Sequence, residues 1–386
     1  MTVPLTEAAG GTAADPGGVL DDVRGFAESE IAPHAEEWDQ NERLPPKLLT
    51  RIGELGLWAP FLPAGLGGAG MTWATLGRVH EEIGRGCSSV RSFLTVHTMV
   101  TWTVQRWGTD GQRERWLPRL ATGELLGAFC LTEPDSGSDA SAAGTVAERV
   151  ASGWVINGEK KWMTAGQVAG LLLVFCRTEG NMSAFLVPAD TPGVEITPIT
   201  GVMGTRASML ARIVLRDVTV GPDALVGPPG WAAATVMTGA LDLGRYSVAC
   251  GSVGILQACL DACVAYTSRR TVRDGRLSEL QLIRRKISDM VVSGRAARLL
   301  CAEAGRLKDA DDPATIMATW VAKYHASTAA SAAASDAVQI HGANGFSAAY
   351  PAARLYRDAK VAEVIEGSTE LQQLTIAEEA YREVAR

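Results

Sequence analysis

The spacing of apolar residues changes character twice along the chain. From about Leu20 to about Glu124, helical patterns are separated by Pro and Gly. Leu48, Ile52 and Leu55 recur at i, i+4 and i+7 behind Pro45 and Pro46 and ahead of Gly56, which predicts a short helix with start and stop signals. The Pro- and Gly-rich stretch from Pro60 to Gly70 predicts a connection. From about Ala128 to about Val226, short β-rich runs take over at Trp154 to Ile156, Leu171 to Cys176, Ala184 to Val187, Val194 to Ile199 and Ile213 to Val220. Asn157-Gly158 and Glu179-Gly180-Asn181 supply tight turns between them. These runs predict a small antiparallel β domain, a barrel or a sandwich, closed by Pro228-Pro229-Gly230. Beyond Trp231 the chain is alanine-rich and helical, with Leu280, Ile283, Ile287 and Met290 spaced as a bundle seam. The fold class is therefore α+β, mostly α. The expected order is a helical domain over 20–125, a β domain over 126–228 and a helical bundle over 229–386, behind an opening over 1–19 expected to be disordered.

Length and composition narrow the function classes. A chain of 386 residues is long enough to bury roughly three quarters of its unfolded surface without staples. Its net charge of −7 argues against a nucleic-acid or anionic-membrane surface as the main partner, since either rewards clustered Lys and Arg. Seven cysteines, an odd number in apolar contexts with no C-x-x-C pair, read as reduced thiols and point to the cytoplasm. Cys259 and Cys263 share a helix face, but His34, His80, His97, His325 and His341 are scattered, so no metal site is expected. The opening has neither the charges nor the apolar segment of a secretory signal, and no run approaches the ~20 apolar residues of a membrane span. No G-x-G-x-x-G follows a strand, so a Rossmann site is not indicated.

Three segments carry chemistry. Leu131-Thr132-Glu133-Pro134-Asp135-Ser136-Gly137-Ser138-Asp139 opens the β region. Gly158-Glu159-Lys160-Lys161-Trp162-Met163-Thr164 follows, and Tyr356-Arg357-Asp358-Ala359-Lys360 leads to Ile365-Glu366-Gly367-Ser368 near the end. In this order they resemble the acyl-CoA dehydrogenase flavoprotein family over nearly the whole chain. The resemblance implies a C-terminal four-helix bundle, FAD lying between the β domain and the bundle with its adenosine end reaching a neighbouring subunit, and a homo-oligomer built as a dimer of dimers. It places Phe129, Leu131, Thr132, Gly137 and Ser138 at the flavin, with the Thr132 hydroxyl and backbone donors suited to the ring's carbonyl-rich edge. Trp162 would flank the ring and Thr164 would hydrogen-bond near its reactive nitrogen. Arg270, eleven positions before Gln281, matches an arginine whose fork clamps the FAD pyrophosphate. Gln339 and Gly342, in Gln339-Ile340-His341-Gly342-Ala343-Asn344-Gly345, match a segment that meets the partner subunit's FAD, and Ser368 and Glu370 also fall at cofactor positions. His341 reads as structural. Three and four positions after that arginine, the family's aromatic residue and glycine are here Arg273 and Asp274, a departure at the position of the family's adenine contact.

Glu366 occupies the position of the family's base, the carboxylate that removes the α-proton of an acyl thioester. Some members carry the base on the helix of Leu241-Asp242-Leu243-Gly244-Arg245, where this chain has Gly244. Asp242 and Arg245 match the family's Asp-x-x-Arg, expected as a substrate-channel or structural pair, and Gly367 is expected at the substrate. The acyl end depends on Cys87-Ser88-Ser89-Val90-Arg91-Ser92, where fatty-acyl enzymes are apolar or neutral. Arg91, with Ser92 and Ser138, points instead to an anionic or hydroxylated acyl group, since a lone buried cation is costly. Glutaryl-CoA dehydrogenases are similar here. Closer still are dehydrogenases of polyketide extender-unit pathways that act on acyl groups tethered to an acyl carrier protein. The carrier-protein thioester is the first expectation and a CoA thioester the alternative, with an electron-transfer flavoprotein or oxygen as acceptor.

Overall fold

The structure is a computed structural model that describes residues 16–139 and 142–384. Of the opening expected to be disordered, 1–15 lie outside the described residues. Pro16–Val19 already belong to α1 (Pro16–Phe26), whose start accepts proline because the missing N–H has no intrahelical partner there. The N-terminal region continues with α2 (Ala35–Asn41), α3 (Pro46–Glu54), α4 (Trp73–Gly86), α5 (Ser88–Trp107) and α6 (Asp110–Thr122). Leu48 and Ile52 are buried on α3 as their spacing predicts. The segment between Pro60 and Gly70 is a connection broken only by a single 3-10 turn, Ala64–Leu66.

Eight strands follow: β1 (Gly127–Cys130), β2 (Val146–Val150), β3 (Gly153–Met163), β4 (Leu171–Thr178), β5 (Asn181–Pro188), β6 (Val194–Pro198), β7 (Ala211–Val220) and β8 (Leu225–Val226). They form one sheet in the order β6-β7-β3-β2-β4-β5-β8, with β1 added beside β4. Pairing is antiparallel except that β1 runs parallel to β4, and β2 meets β4 in the single parallel pair Val146–Arg177. The two halves fold over a core of Ile156, Leu172, Val174, Phe185, Ile213 and Leu215. The alternate residues Leu171, Leu173 and Phe175 of β4 face a second core, shared with Val100, Trp116, Ala240 and Leu243 of the flanking helices. Burial on both faces is why β4 reads as an unbroken apolar run.

The C-terminal region contains α7 (Thr238–Arg269), a short hairpin of β9 (Thr271–Val272) and β10 (Gly275–Arg276), then α8 (Gln281–Asp309), α9 (Thr315–His341), α10 (Ala352–Val364) and α11 (Thr369–Val384). Contrary to the sequence reading, the helical stretch Ala233–Arg269 is long and apolar enough by composition to cross a membrane. The greater part of its most apolar window is instead buried in the domain. Small residues bring α7 close to its neighbours: a Cβ on Gly84 of α4 would lie 2.7 Å from the Gly251 carbonyl oxygen. The bundle seam begins at Ile283 rather than Leu280, which precedes α8 and is half exposed.

Candidate active site

Four elements of the helical regions converge on Glu366. It lies on the turn between α10 and α11, at φ +55°, and Gly367 follows at φ +95°. Glu366 Oε2 is buried without a hydrogen-bond partner, and its N–H is used by no hydrogen bond among the described residues. Burial pushes this carboxyl above the usual carboxylate range, against the opposing pull of the Arg245, Arg91 and Lys323 charges. The carboxyl lies over Gly244 of α7, where a Cβ would come within 2.6 Å of Glu366 Cδ. The two base positions of the resembling family are thus one volume reached from opposite sides, and the glycine leaves it to Glu366.

Arg245 donates from Nε to the Glu366 carbonyl oxygen at 3.2 Å, and its guanidinium sits over the Trp320 ring at 4.3 Å. Asp242 turns elsewhere. It pairs with Lys308, whose ammonium also lies over the Trp73 and Tyr246 rings. Of the expected Asp242/Arg245 pair, only Arg245 reaches the Glu366 turn.

Arg91 is 2% exposed on α5. It donates to Thr95 Oγ1 at 3.2 Å and Ser92 Oγ at 2.9 Å, and Thr95 in turn shares a hydrogen bond with Ser247 of α7. Its side chain lies along Gly251, where a Cβ would come within 2.7 Å of Arg91 Cδ. No carboxylate among the described residues forms an ion pair with Arg91, and burial lowers its pKa to about 10. The neighbouring His80, also fully buried, is held neutral, at about 3, by burial and by the Arg91 charge.

The β-domain segments form a second cluster. Glu133 is buried and fully engaged: it accepts from Lys160 Nζ at 2.7 Å, from Gly144 N at 2.5 Å and from Thr145 N at 3.0 Å. Burial alone would raise its pKa, but these donors outweigh it and hold the carboxyl below the usual range. Lys160 also donates to the Leu131 carbonyl oxygen, and Lys161 N to that of Thr132, so the loop 131–137 is tied to β3. Trp162 takes φ +69° and remains 47% exposed, a ring held outward rather than packed into the core. Thr164 is partly buried just beyond it, and Ser138 is exposed, as is Gly137, where a Cβ would meet nothing within 4 Å. Phe129 departs from expectation, because its ring packs into the core against Phe175 at 4.9 Å. Leu131 borders the same apolar cluster as Val96 of α5 and Leu241 of α7, which joins the two parts of the site.

Arg270, Gln281, Gln339 and Gly342 do not join them. Arg270 caps the C-terminal end of α7, 26 residues and therefore about 39 Å along the helix from Gly244. With Tyr266, His341, Asn344 and Tyr350 it lines a cavity of about 440 Å³ at that end. His341 is buried and stacked on Tyr266 at 4.3 Å, the structural part expected of it. Arg273 and Asp274 form the exposed turn between β9 and β10.

Sequence comparison matches three consecutive family models: acyl-CoA dehydrogenase N-terminal domain over 18–124, middle domain over 128–218 and C-terminal domain over 230–381. The chain belongs to the acyl-CoA dehydrogenase family, FAD-dependent oxidoreductases acting on CH–CH bonds. It is 38% identical over 360 residues to the short-chain specific acyl-CoA dehydrogenase of Bos taurus mitochondria, covering 92% of this chain and 87% of that one. Among solved structures, a glutaryl-CoA dehydrogenase in complex with glutaryl-CoA superposes with a TM-score of 0.90 at 32% identity over 96% of each chain. FkbI, described as serving biosynthesis of the methoxymalonyl extender unit of a polyketide, superposes with a TM-score of 0.86 at 35% identity over 94% of this chain and 99% of its own. The residues present suit FAD: Trp162 is held outward, the backbone at Gly137 is open to close approach, and Glu366 Oε2 is buried without a partner.

Sequence reasoning missed Lys160 as the partner of Glu133, and it missed Lys323. Lys323 is wholly buried on α9 and donates to the Gly367 carbonyl oxygen at 2.8 Å and that of Glu363 at 3.3 Å. Lysine inside an otherwise small and apolar helical run was the available signal.

Proposed function

We propose that this enzyme oxidises a short acyl thioester whose far end is anionic or hydroxylated, carried on an acyl carrier protein, with Glu366 as the base. The observation that carries the reading is Arg91, a buried cation without a carboxylate partner. Arg91, Arg245 and Lys323 act on Glu366, the carboxylate whose pKa all three pull down. An alkyl tail would leave this excess of buried charge uncompensated, whereas a carboxylate or hydroxyls offset it.

Glu366 Oε2, unpaired and raised in pKa, is suited to take the α-proton of the thioester, and the unused Glu366 N–H can donate to the thioester carbonyl as negative charge develops there. The β-hydrogen leaves with its bonding electron pair, leaving a double bond, and FAD supplies the acceptor for that hydride. Trp162, Thr164, Thr132, Gly137 and Ser138 would hold the flavin. In this reading Arg270, Gln281, Gln339 and Gly342 would hold the cofactor of a second copy, which makes the enzyme a homo-oligomer; the place of Arg270 at the far end of α7 from Gly244 supports it. Ser368 and Glu370, beside the Glu366 turn, are kept as cofactor positions. Electron-transfer flavoprotein and oxygen both remain acceptors within this reading, and the cytoplasm is the proposed location.

The carrier-protein assignment is supported by the likeness to FkbI, which spans nearly both chains. A second reading, a glutaryl-type CoA thioester, is favoured by the same Arg91 and by the superposition on the glutaryl-CoA complex. Anaerobic bleaching of the flavin separates them. A carrier protein loaded with a hydroxylated three-carbon acyl group should bleach it and butyryl-CoA should not; bleaching by glutaryl-CoA alone would overturn the carrier assignment. Arg91→Leu should lower kcat/KM for the polar thioester roughly 10- to 100-fold, the worth of a hydrogen bond to a charged group, and open the site to butyryl-CoA.

A further inference from the structure

The turn that carries Glu366 is held from beneath by a side chain with no place in the proton transfer itself. Two successive residues at positive φ, the first of them not glycine, form a backbone that persists only where its surroundings impose it. Arg245 holds the Glu366 carbonyl, and Gln372 Nε2 donates to the Gly367 carbonyl oxygen at 3.0 Å. Lys323 joins the two sides. Its ammonium binds that same Gly367 oxygen and also the Glu363 carbonyl, one of the last of α10, where a cation meets the negative end of the helix. Its side chain is fully buried, so these carbonyls meet the ammonium rather than bulk solvent.

We propose that Lys323 is a positioning residue: its ammonium staples the end of α10 to the Glu366-Gly367 turn and, from behind, keeps the Glu366 carboxylate charged and ready to accept a proton. The proposal rests on Glu366 being the base and not on the identity of the acyl group. The charged groups facing Glu366 are Arg245 from α7, Arg91 from α5 and Lys323 from α9. Those facing Lys323 are Glu366, Arg245, Glu363 and Glu370. Burial brings the Lys323 ammonium down to about 8, so the staple weakens in mildly alkaline solution. Sign and site then agree: losing the positive charge makes Glu366 harder to ionise.

Infrared difference titration of the FAD-loaded enzyme, with no thioester present, tests this directly. Subtracting the Glu366→Gln spectra isolates the Glu366 carboxyl, and hydrogen exchange follows peptides covering residues 363–371. In Lys323→Met, and independently in Lys323→Gln, the Glu366 midpoint should rise by about one pH unit or more. Exchange across the turn should quicken roughly tenfold. Lys323→Arg should bring the midpoint back toward wild type. An unchanged midpoint in the charge-less variants that retain flavin, or unchanged exchange across the turn, would overturn the proposal. Because no substrate is used, such a failure is distinct from a wrong assignment of the acyl group, which shows only in the bleaching experiment.

Discussion

Glu133 and Glu366 are both enclosed carboxylates, one in the β domain and one at the bundle, and they are treated in opposite ways. Glu133 is met by an ammonium and two backbone N–H groups, and its pKa falls. Glu366 has three cations nearby yet none within hydrogen-bond reach of Oε2, and its pKa rises. The difference separates holding from reacting. A carboxylate with both oxygens hydrogen-bonded fixes a loop, whereas one left a buried oxygen without a partner keeps its affinity for a proton.

The sharpest way to break that contrast is Glu366→Gln. It should leave FAD bound and lower the rate of flavin reduction by about 10²- to 10⁴-fold, the usual worth of a general base, as read by anaerobic stopped flow. In the wild type the rate should climb with pH through a midpoint above that of an ordinary glutamate, because only the deprotonated form accepts the proton. Glu133→Gln should behave in the reverse manner. Breaking a buried pair from one side leaves Lys160 uncompensated, at a cost of about 3–5 kcal/mol, seen as a lower Tm and a weaker hold on FAD, while the protein that retains flavin reduces it at a near-normal rate. Glu133 is depressed in the folded state, so its contribution is present above the ordinary glutamate range and is lost as pH falls through the folded value. The smallest effect is expected from Gly244→Ala. Its methyl group would crowd the Glu366 carboxyl and displace it, lowering kcat roughly tenfold with Tm nearly unchanged.

Much of the fold, though not this contrast, is legible in the sequence. The three regions and five of the strands follow from the apolar pattern, and the choice of Glu366 as the candidate base follows from the family resemblance. What escaped has physical reasons. β1 is four residues long and buried throughout, so it shows no alternation, and β2 carries too little apolar side-chain signal to stand out. The Glu133–Lys160 pair joins residues 27 apart across a loop and a strand, a separation no local rule encodes. Asp242 and Arg245 match the family's Asp-x-x-Arg pair, but Lys308 of α8 takes the carboxylate. The place of Trp162 in its motif favours a flavin wall over a core residue, and the structure holds the ring outward at φ +69°.

The close approach of Gly244 to Glu366 also bears on how such a site can change by mutation. Any side chain added at Gly244 enters the space of the existing carboxylate, so a new base on α7 cannot be tried out while the old one remains. With Glu366 as the proposed base, removing it first leaves none. A transfer of the base from one side to the other is therefore a two-substitution step with an impaired intermediate on either route, and the glycine keeps the chain on the side it now occupies.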